Sequence, residues 1–531
     1  MAFFIIIYSV CAIYMVLNFK YDLQMFQQNS YRPKRYWKWL QPHIGDSWRL
    51  VDVACLFLLL ASPQFLDFRL ASLFVGIAAA TKILLILRKK YKKPLVFTKR
   101  VWRLYGLTSL ITLGGMTALA ICTSGNFYGR YAGAVITIGS MMLITIFSWF
   151  FILFSNFLLI PVEKGIQKRY INDAKRILRS MPGLKIIGIT GSYGKTSTKN
   201  YLTRILEEEY DVLMTPGSFN TPMGVVRTVR EYLKPYNQIF VCEMGAKQNG
   251  DIKEICDIVH PEMGIVTAVG PMHLETFKTL DNVCSTKFEL VDSLPSDGFA
   301  AVNNDFDMCA GREVLNTKAV RYGITNPEGC DYIATDIRYT PNGTSFVIKG
   351  KDGFKLELET RLLGESNVSD ILGAVVIAHK IGIAPEKIRY AVATLQQVEH
   401  RLSMKQTPGG VTIIDDAFNS NPVGSKMAID VLTHFKGGKR IIVTPGMIEL
   451  GTKQYDLNRE FGRHIGDNLD IAIIVGEYNR KAIMDGIQET GFESENLHLA
   501  DSFNEAQQIL GRILSSGDTV LYENDLPDTF K

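Results

Sequence analysis

Five apolar stretches crowd the first 162 residues: roughly 2–19 (AFFIIIYSVCAIYMVLNF), 50–66, 70–87, 105–123 and 131–162. A span needs about 20 apolar residues, or somewhat fewer where charge flanks it, so the stretches predict a membrane region of about five α-helices. The 50–66 and 70–87 stretches, separated only by Asp67-Phe68-Arg69, predict a tight hairpin. The last stretch exceeds one span and predicts tilt or continuation along the interface. The first has no basic n-region and no small-residue cleavage pattern, and Lys20 follows the apolar run; it reads as a retained helix.

Charge sets the expected orientation. Basic residues crowd 20–49 (Lys20, Arg32, Lys34, Arg35, Lys38, Arg49) and 88–103 (RKKYKKPLVFTKRVWR), whereas 67–69 and 124–130 carry one Arg each. The positive-inside rule then puts 20–49, 88–103 and everything after 163 in the cytoplasm, with the N-terminus outside. The chain is thus expected in the plasma membrane, multi-pass, in contact with the lipid bilayer. Net charge is only +5 and the basic residues hug the apolar runs, which excludes a nucleic-acid footprint. Eight cysteines without a CxxC pair argue against zinc or a disulfide framework and fit a reducing compartment.

A chain of 531 residues is expected to hold two to four units. Residues 163–183, with Ile171, Ala174, Ile177 and Leu178 at helical spacing and Pro182-Gly183 at the end, predict a connecting helix. Short β-branched runs then alternate with helical patterns: LKIIGIT, QIFVCEMG, MGIVTAVG and GFAAVNND, and after residue 405 GVTIIDDAF, KRIIVTPG, IAIIVGE and GDTVLYEN. These are buried parallel strands joined by helices. The fold class is therefore multi-domain: an α-helical membrane region (1–162), the connecting helix (163–183), a P-loop-type α/β domain (184–404) and a Rossmann-like α/β domain (405–531).

Between the first strand and a helix stands Gly188-x-Thr190-Gly191-Ser192-x-Gly194-Lys195-Thr196-Ser197. The strict G-x-x-x-x-G-K-[ST] spacing fails because position 189 is Ile. The physical logic holds. Glycines let backbone N–H groups approach phosphate oxygens, and the helix that follows offers its N-terminus to the anion. Lys195 would reach the terminal phosphates and Thr196 would bind Mg²⁺.

GITGSYGKTSTK resembles the ATP loop of the Mur ligases, the ATP-dependent amide-forming enzymes of peptidoglycan precursor synthesis. Further stretches resemble that family in order: SFNTPMGVVRTV (218–229), VCEMGAKQNGDI (241–252), VTAVGPMHLETF (266–277), STKFEL (285–290) and HRLS (400–403). IIDDAFNSNP (413–422) and PGMIELG (445–451) resemble the third domain of the D-alanyl-D-alanine-adding branch. The resemblance covers about 184–522. It implies a carboxylate–amine ligase that phosphorylates an acid with ATP and lets an amine attack the acyl phosphate. It assigns Thr196 and Glu243 to one Mg²⁺ and His273 with a carbamylated Lys287 to a second. Thr190, Gly191, Ser192, Gly194, Lys195 and Ser197 then hold phosphate. Asn220 lies near the acyl site; Asn367, Arg401, Asp416 and Asn419 meet the nucleotide. Without the resemblance, His273 reads as a polar loop residue, Lys287 as a solvated helix lysine and DDAFNSNP as a turn with an Asx cap.

Departures bear on the substrate. The family's GxHNVxN stands here as Gly364-Glu365-Ser366-Asn367-Val368-Ser369-Asp370, the usual His after ELG is Asn458, and the VLVKGS end becomes VLYENDLPD. Membrane spans occupy the place of the soluble UDP-binding domain. The acceptor is therefore expected to be a cell-wall precursor, lipid-linked or UDP-linked, with the lipid-linked form suggested by the membrane spans, and the amine an amino acid or a D-Ala-D-Ala-like dipeptide. Two alternatives stand beside this: a ligase of another wall or capsule polymer (poly-γ-glutamate-like or amidating), which a donor-amine screen separates, and an inactive membrane scaffold, which would have a broken loop. A transport ATPase is disfavoured, because no ABC-type signature follows the loop and the spans show no intramembrane carboxylate pathway.

Overall fold

The computed structural model describes residues 2–45, 47–65, 67–89, 93–124, 130–340, 343–417 and 420–525. The chain divides into a helical unit up to Gln167 and an α/β unit from Lys168.

The helical unit holds α1 (Ala2–Gln28), α2 (Pro33–His43), α3 (Ser47–Phe65), α4 (Phe68–Arg88), α5 (Lys99–Ser124), α6 (Arg130–Ile146) and α7, which runs Ser148–Arg179. Among the described residues four helices are long and apolar enough to cross a membrane: Ile5–Gln28, Arg69–Arg88, Lys99–Thr123 and Ser148–Arg179. The 50–65 stretch lies in α3, which packs on α4. The 131–162 stretch divides at Phe147 into α6 and α7, and α7 continues through Pro161 without a break to Arg179. Residues 163–179 are thus the end of a longer helix.

The unit also buries charge that the apolar pattern did not announce. Asp22 on α1 pairs with Arg49 at 2.9 Å and accepts from Tyr36 Oη at 2.9 Å and from Ser148 Oγ. Asp52 on α3 pairs with Lys82 on α4 at 2.7 Å and accepts from Tyr14 Oη at 2.9 Å. Two acids are thus buried in this unit. Each is closed by a cation and a hydroxyl, as burial of an ionised group requires.

In the α/β unit, β1 (Lys185–Thr190), β2 (Val212–Met214), β3 (Ile239–Glu243), β4 (Met263–Val266), β5 (Phe299–Asn303), β6 (Lys318–Gly323), β7 (Tyr332–Thr340), β8 (Gly343–Gly350) and β9 (Lys355–Thr360) form a nine-stranded sheet of order β2-β3-β1-β4-β5-β6-β7-β8-β9. The first seven in that order run parallel and β8 and β9 are antiparallel additions. Ile187, Ile189, Val241, Ile265 and Ala301 fill one face of the parallel part against Tyr201, Leu202 and Ile205 of the following helix. On the other face, Ala174 is fully buried beside Ile171, Ile177 and Leu178, which places the apolar stripe read at 163–183 against this core.

The second sheet comprises β10 (Ser403–Gln406), β11 (Thr412–Asp416), β12 (Arg440–Thr444), β13 (Ile471–Val475), β14 (Leu497–Ala500) and β15 (Thr519–Glu523), ordered β10-β11-β15-β12-β13-β14. Ser403 and Met404 pair with Asp415 and Ile414, so the strand at 403–406 belongs with this sheet. All eight cysteines are free thiols.

Candidate active site

β1 ends at Thr190 and α8 (Lys195–Leu206) begins at Lys195, with residues 191–194 between them. The turn is tight enough to demand glycine twice. A Cβ on Gly191 would sit 2.0 Å from Thr267 Oγ1, and one on Gly194 would sit 2.2 Å from Asp370 Oδ1, at a φ of +77°. Thr190 Oγ1 donates to Met244 O at 3.0 Å; Ser192 Oγ donates to Gly270 O and accepts from Gly270 N, both at 3.1 Å. These bonds hold the loop to β3 and to the segment after β4, leaving the start of α8 as its anion-facing end. Ser197, on the first turn of α8, is buried.

Lys195 bends back over its own loop, donating to Gly191 O at 2.7 Å and Ser192 O at 3.2 Å. Burial lowers its ammonium to a pKa of about 8 against the pull of Glu243. Thr196 Oγ1 lies 3.2 Å from Glu243 Oε2, and Asn220 Nδ2 donates to Glu243 Oε1 at 2.9 Å. Two residues from separate segments thus converge on the Glu243 carboxylate. Burial pushes Glu243 up, but Lys199, Lys195 and Asn220 outweigh it and hold the acid below its usual range. A hydroxyl and an ionised carboxylate at the phosphate loop are hard oxygen donors that suit Mg²⁺.

Lys287 lies buried on the helix Leu280–Asp292 with no ion-pair partner among the described residues, and burial, with Lys195 nearby, drives its ammonium well below the usual lysine range. His273 sits at φ +53° and its Nδ1 meets the Glu449 carboxylate, while Lys247 stands 3.8 Å from the same acid. Burial holds the imidazole below its ordinary range although Glu449 works the other way. Among the described residues no group of three His, Cys, Asp or Glu could hold a metal.

Other expected residues fall less directly on the loop. Asn367 accepts from Tyr201 Oη at 2.6 Å and donates to Leu363 O at 2.7 Å, which engages both ends of its amide. Asp370, the acid in place of the family's Asn, accepts from Thr198 Oγ1 at 3.0 Å; burial pushes its carboxyl up to about 8. Asp416 accepts from Leu402 N at 3.2 Å, and burial raises it to about 6 against the nearby Arg401. Its register neighbour is Glu523 at the end of β15. Asn419 lies outside the described residues. Asn458, where the family has His, bonds Met447 N and O and so holds the Met447–Glu449 turn. The sequence reading missed Lys199 and Glu449. Lys199 had one available signal, its place three residues beyond Thr196 on the same helical face.

Residues 189–378 match the Mur ligase middle domain and residues 400–522 the Mur ligase, glutamate ligase domain. The chain belongs to the Mur ligase family. The UDP-N-acetylmuramoyl-tripeptide–D-alanyl-D-alanine ligase of Bacillus subtilis (strain 168) is 29% identical over 353 residues, which are 66% of this chain and 75% of that protein. The ligase of the same name from Escherichia coli (strain K12) is 28% identical over 62% of this chain and 69% of its own length. Among solved structures, MurF from Acinetobacter baumannii superposes with a TM-score of 0.62 at 26% identity, covering 68% of this chain and 78% of that one. MurF ligase from Thermotoga maritima in complex with ADP gives 0.60 at 25%, covering 68% and 80%. As a Mur ligase of MurF type, the chain is an ATP-dependent amide-forming ligase, and both α/β domains of its fold are those of the family. The middle-domain match begins at residue 189.

Proposed function

We propose that the chain is a membrane-set ligase that couples an amine, an amino acid or a D-Ala-D-Ala-like dipeptide, to the carboxylate of a lipid-linked cell-wall precursor. The observation that carries the reading is the convergence of Lys195, Thr196, Asn220 and Glu243 at the glycine turn between β1 and α8. A carboxylate oxygen attacks the γ-phosphorus of ATP and ADP leaves. The amine nitrogen then attacks the acyl carbon, phosphate leaves, and the new amide loses a proton. Mg²⁺, when bound, neutralises charge on the phosphates. Thr196 and Glu243 would hold one ion, and His273 and carbamylated Lys287 would serve a second. Lys195 pairs with the terminal phosphate, Ser192 and Ser197 line the loop, and Asn220 orients the acyl group. Asn367, Arg401, Asp416 and Asn419 would frame the adenosine.

The helical unit supports the membrane part. Phe57, Leu60, Leu110 and Phe157 are each more than 60% exposed, an apolar cover that suits hydrocarbon rather than water. Confinement of enzyme and acceptor to one surface raises their effective concentration. We place the α/β unit on the cytoplasmic side, where ATP is available and the basic 88–103 loop belongs.

The test is phosphate release by the full chain in detergent, with ATP, Mg²⁺, a D-dipeptide and matched lipid-linked and UDP-linked acceptors. The lipid-linked acceptor is expected to be turned over at least tenfold faster. Preference for the UDP-linked one overturns the lipid assignment, and failure to bind ATP overturns the site. Lys195→Ala should cut release by about a thousandfold, since the phosphoryl group loses its cation.

A further inference from the structure

We propose that Lys199 is a positioning residue that presets the Glu243 carboxylate and the Gly217–Asn220 loop for the divalent cation. The proposal rests on the reading of Thr196 and Glu243 as metal-binding groups. Lys199 Nζ lies 3.0 Å from Glu243 Oε2 and donates to Gly217 O at 2.6 Å, and the two charged side chains are 1% and 2% exposed. Lysine is almost never buried so completely unless paired. Here its partner is the one carboxylate that Thr196 and Asn220 also reach, at 3.2 and 2.9 Å. The same ammonium ties down the residue that starts the loop carrying Asn220, whose own carbonyl accepts from Gly245 N at 2.7 Å.

The arrangement divides the labour on Glu243. Asn220 fixes Oε1, and Lys199 fixes Oε2 where the Thr196 hydroxyl faces it. Without the lysine, a carboxylate with no water around it would turn towards the nearest remaining donors and away from Thr196. A lysine beside a metal ligand also repels a bare cation. The ion that enters this site travels with a nucleotide polyphosphate, however, and that complex is anionic, so the ammonium attracts it. Preorganisation therefore outweighs repulsion, and the lysine should strengthen metal-dependent nucleotide binding.

Binding of a fluorescent ADP to the full chain in detergent, titrated with Mg²⁺, separates the outcomes. Wild type should need Mg²⁺; indifference to it overturns the reading of the site itself. Lys199→Met and Lys199→Gln should each raise the Mg²⁺ midpoint at least tenfold while changing Mg²⁺-free binding less than threefold. The double variant Lys199→Met with Glu243→Gln should bind no worse than Glu243→Gln alone. An unchanged or lowered midpoint, or additive losses in the double variant, overturns the role of Lys199 while leaving the site reading intact. A purely structural lysine would weaken binding with and without Mg²⁺ in proportion. Lys199→Gln keeps a donor for Gly217 O and guards against misfolding. If both lysine variants fail to fold while Glu243→Gln folds, the residue is scaffold and the proposal falls.

Discussion

In the helical unit Asp22 faces Arg49 and Asp52 faces Lys82, and a tyrosine hydroxyl closes each pair. In the α/β unit Lys287, Asp370 and Glu523 are buried as deeply, yet among the described residues none has an opposite charge in ion-pair range. Among the described residues Glu523 even keeps one carboxyl oxygen without a hydrogen-bond partner, although Ser420 donates to the other at 2.6 Å. Charge buried in balanced pairs belongs to the architecture and is silent towards solutes. Charge buried out of balance costs stability and is retained where a ligand or a chemical step supplies the missing half. The unbalanced groups gather around the phosphate loop and the ends of β11 and β15, the regions that the family likeness connects with ATP.

Breaking a balanced pair should have the largest effect. Lys82→Met leaves Asp52 buried alone and should destabilise the helical unit by about 3–5 kcal/mol, whereas Lys82→Met with Asp52→Leu should return to within about 1 kcal/mol of wild type. Unfolding in detergent measures both, and a harmless single variant would dissolve the contrast between the units.

Removing an unbalanced ionisable group should act in the opposite direction and with pH. Asp370 has its carboxyl raised by burial to about 8, so the folded chain retains a proton that the unfolded chain has lost. That contribution to stability is fully present below the ordinary Asp range and is lost as pH rises towards 8. Asp370→Asn, which restores the family's residue, should therefore gain on wild type by about 2 kcal/mol between pH 6 and pH 8, with no further gain above 8. A melting-temperature series against pH checks it; a flat difference would mean that the acid is already ionised in the fold.

The smallest expected effect comes from a neutral contact outside both patterns. Thr221 caps the helix Pro222–Glu231 by accepting from Gly224 N at 3.2 Å, so Thr221→Ala should cost about 1 kcal/mol at every pH and Mg²⁺ concentration. A Mg²⁺-dependent loss would tie this cap to the Asn220 loop beside it.

The parallel strands were legible because β1, β3, β4 and β5 are short β-branched runs buried on both faces, the pattern of a covered parallel sheet. The antiparallel additions were not, since KLELET in β9 alternates buried and exposed residues and mixes charge into the run. The phosphate loop could be read from glycine spacing, and the order of Asn220, Glu243, His273 and Lys287 through the family resemblance. What escaped was pairing at long sequence range. Nothing around Lys199 says that a strand end 44 residues on will neutralise it, and nothing in either apolar run says that Asp52 and Lys82 will meet. His273 likewise gave no hint that a glutamate of the second sheet's turn would take its ring nitrogen.

The contact between Asp370 and Gly194 carries a constraint on how such a chain can diverge. Any side chain at 194 would collide with the acid, and any longer group at 370 would press on a backbone that already has a positive φ. The two positions, 176 apart, are therefore free to drift only towards smaller or equal partners. Across descendants of this protein, substitutions at 370 should stay within the size of asparagine and aspartate, while its neighbours on the same helix wander.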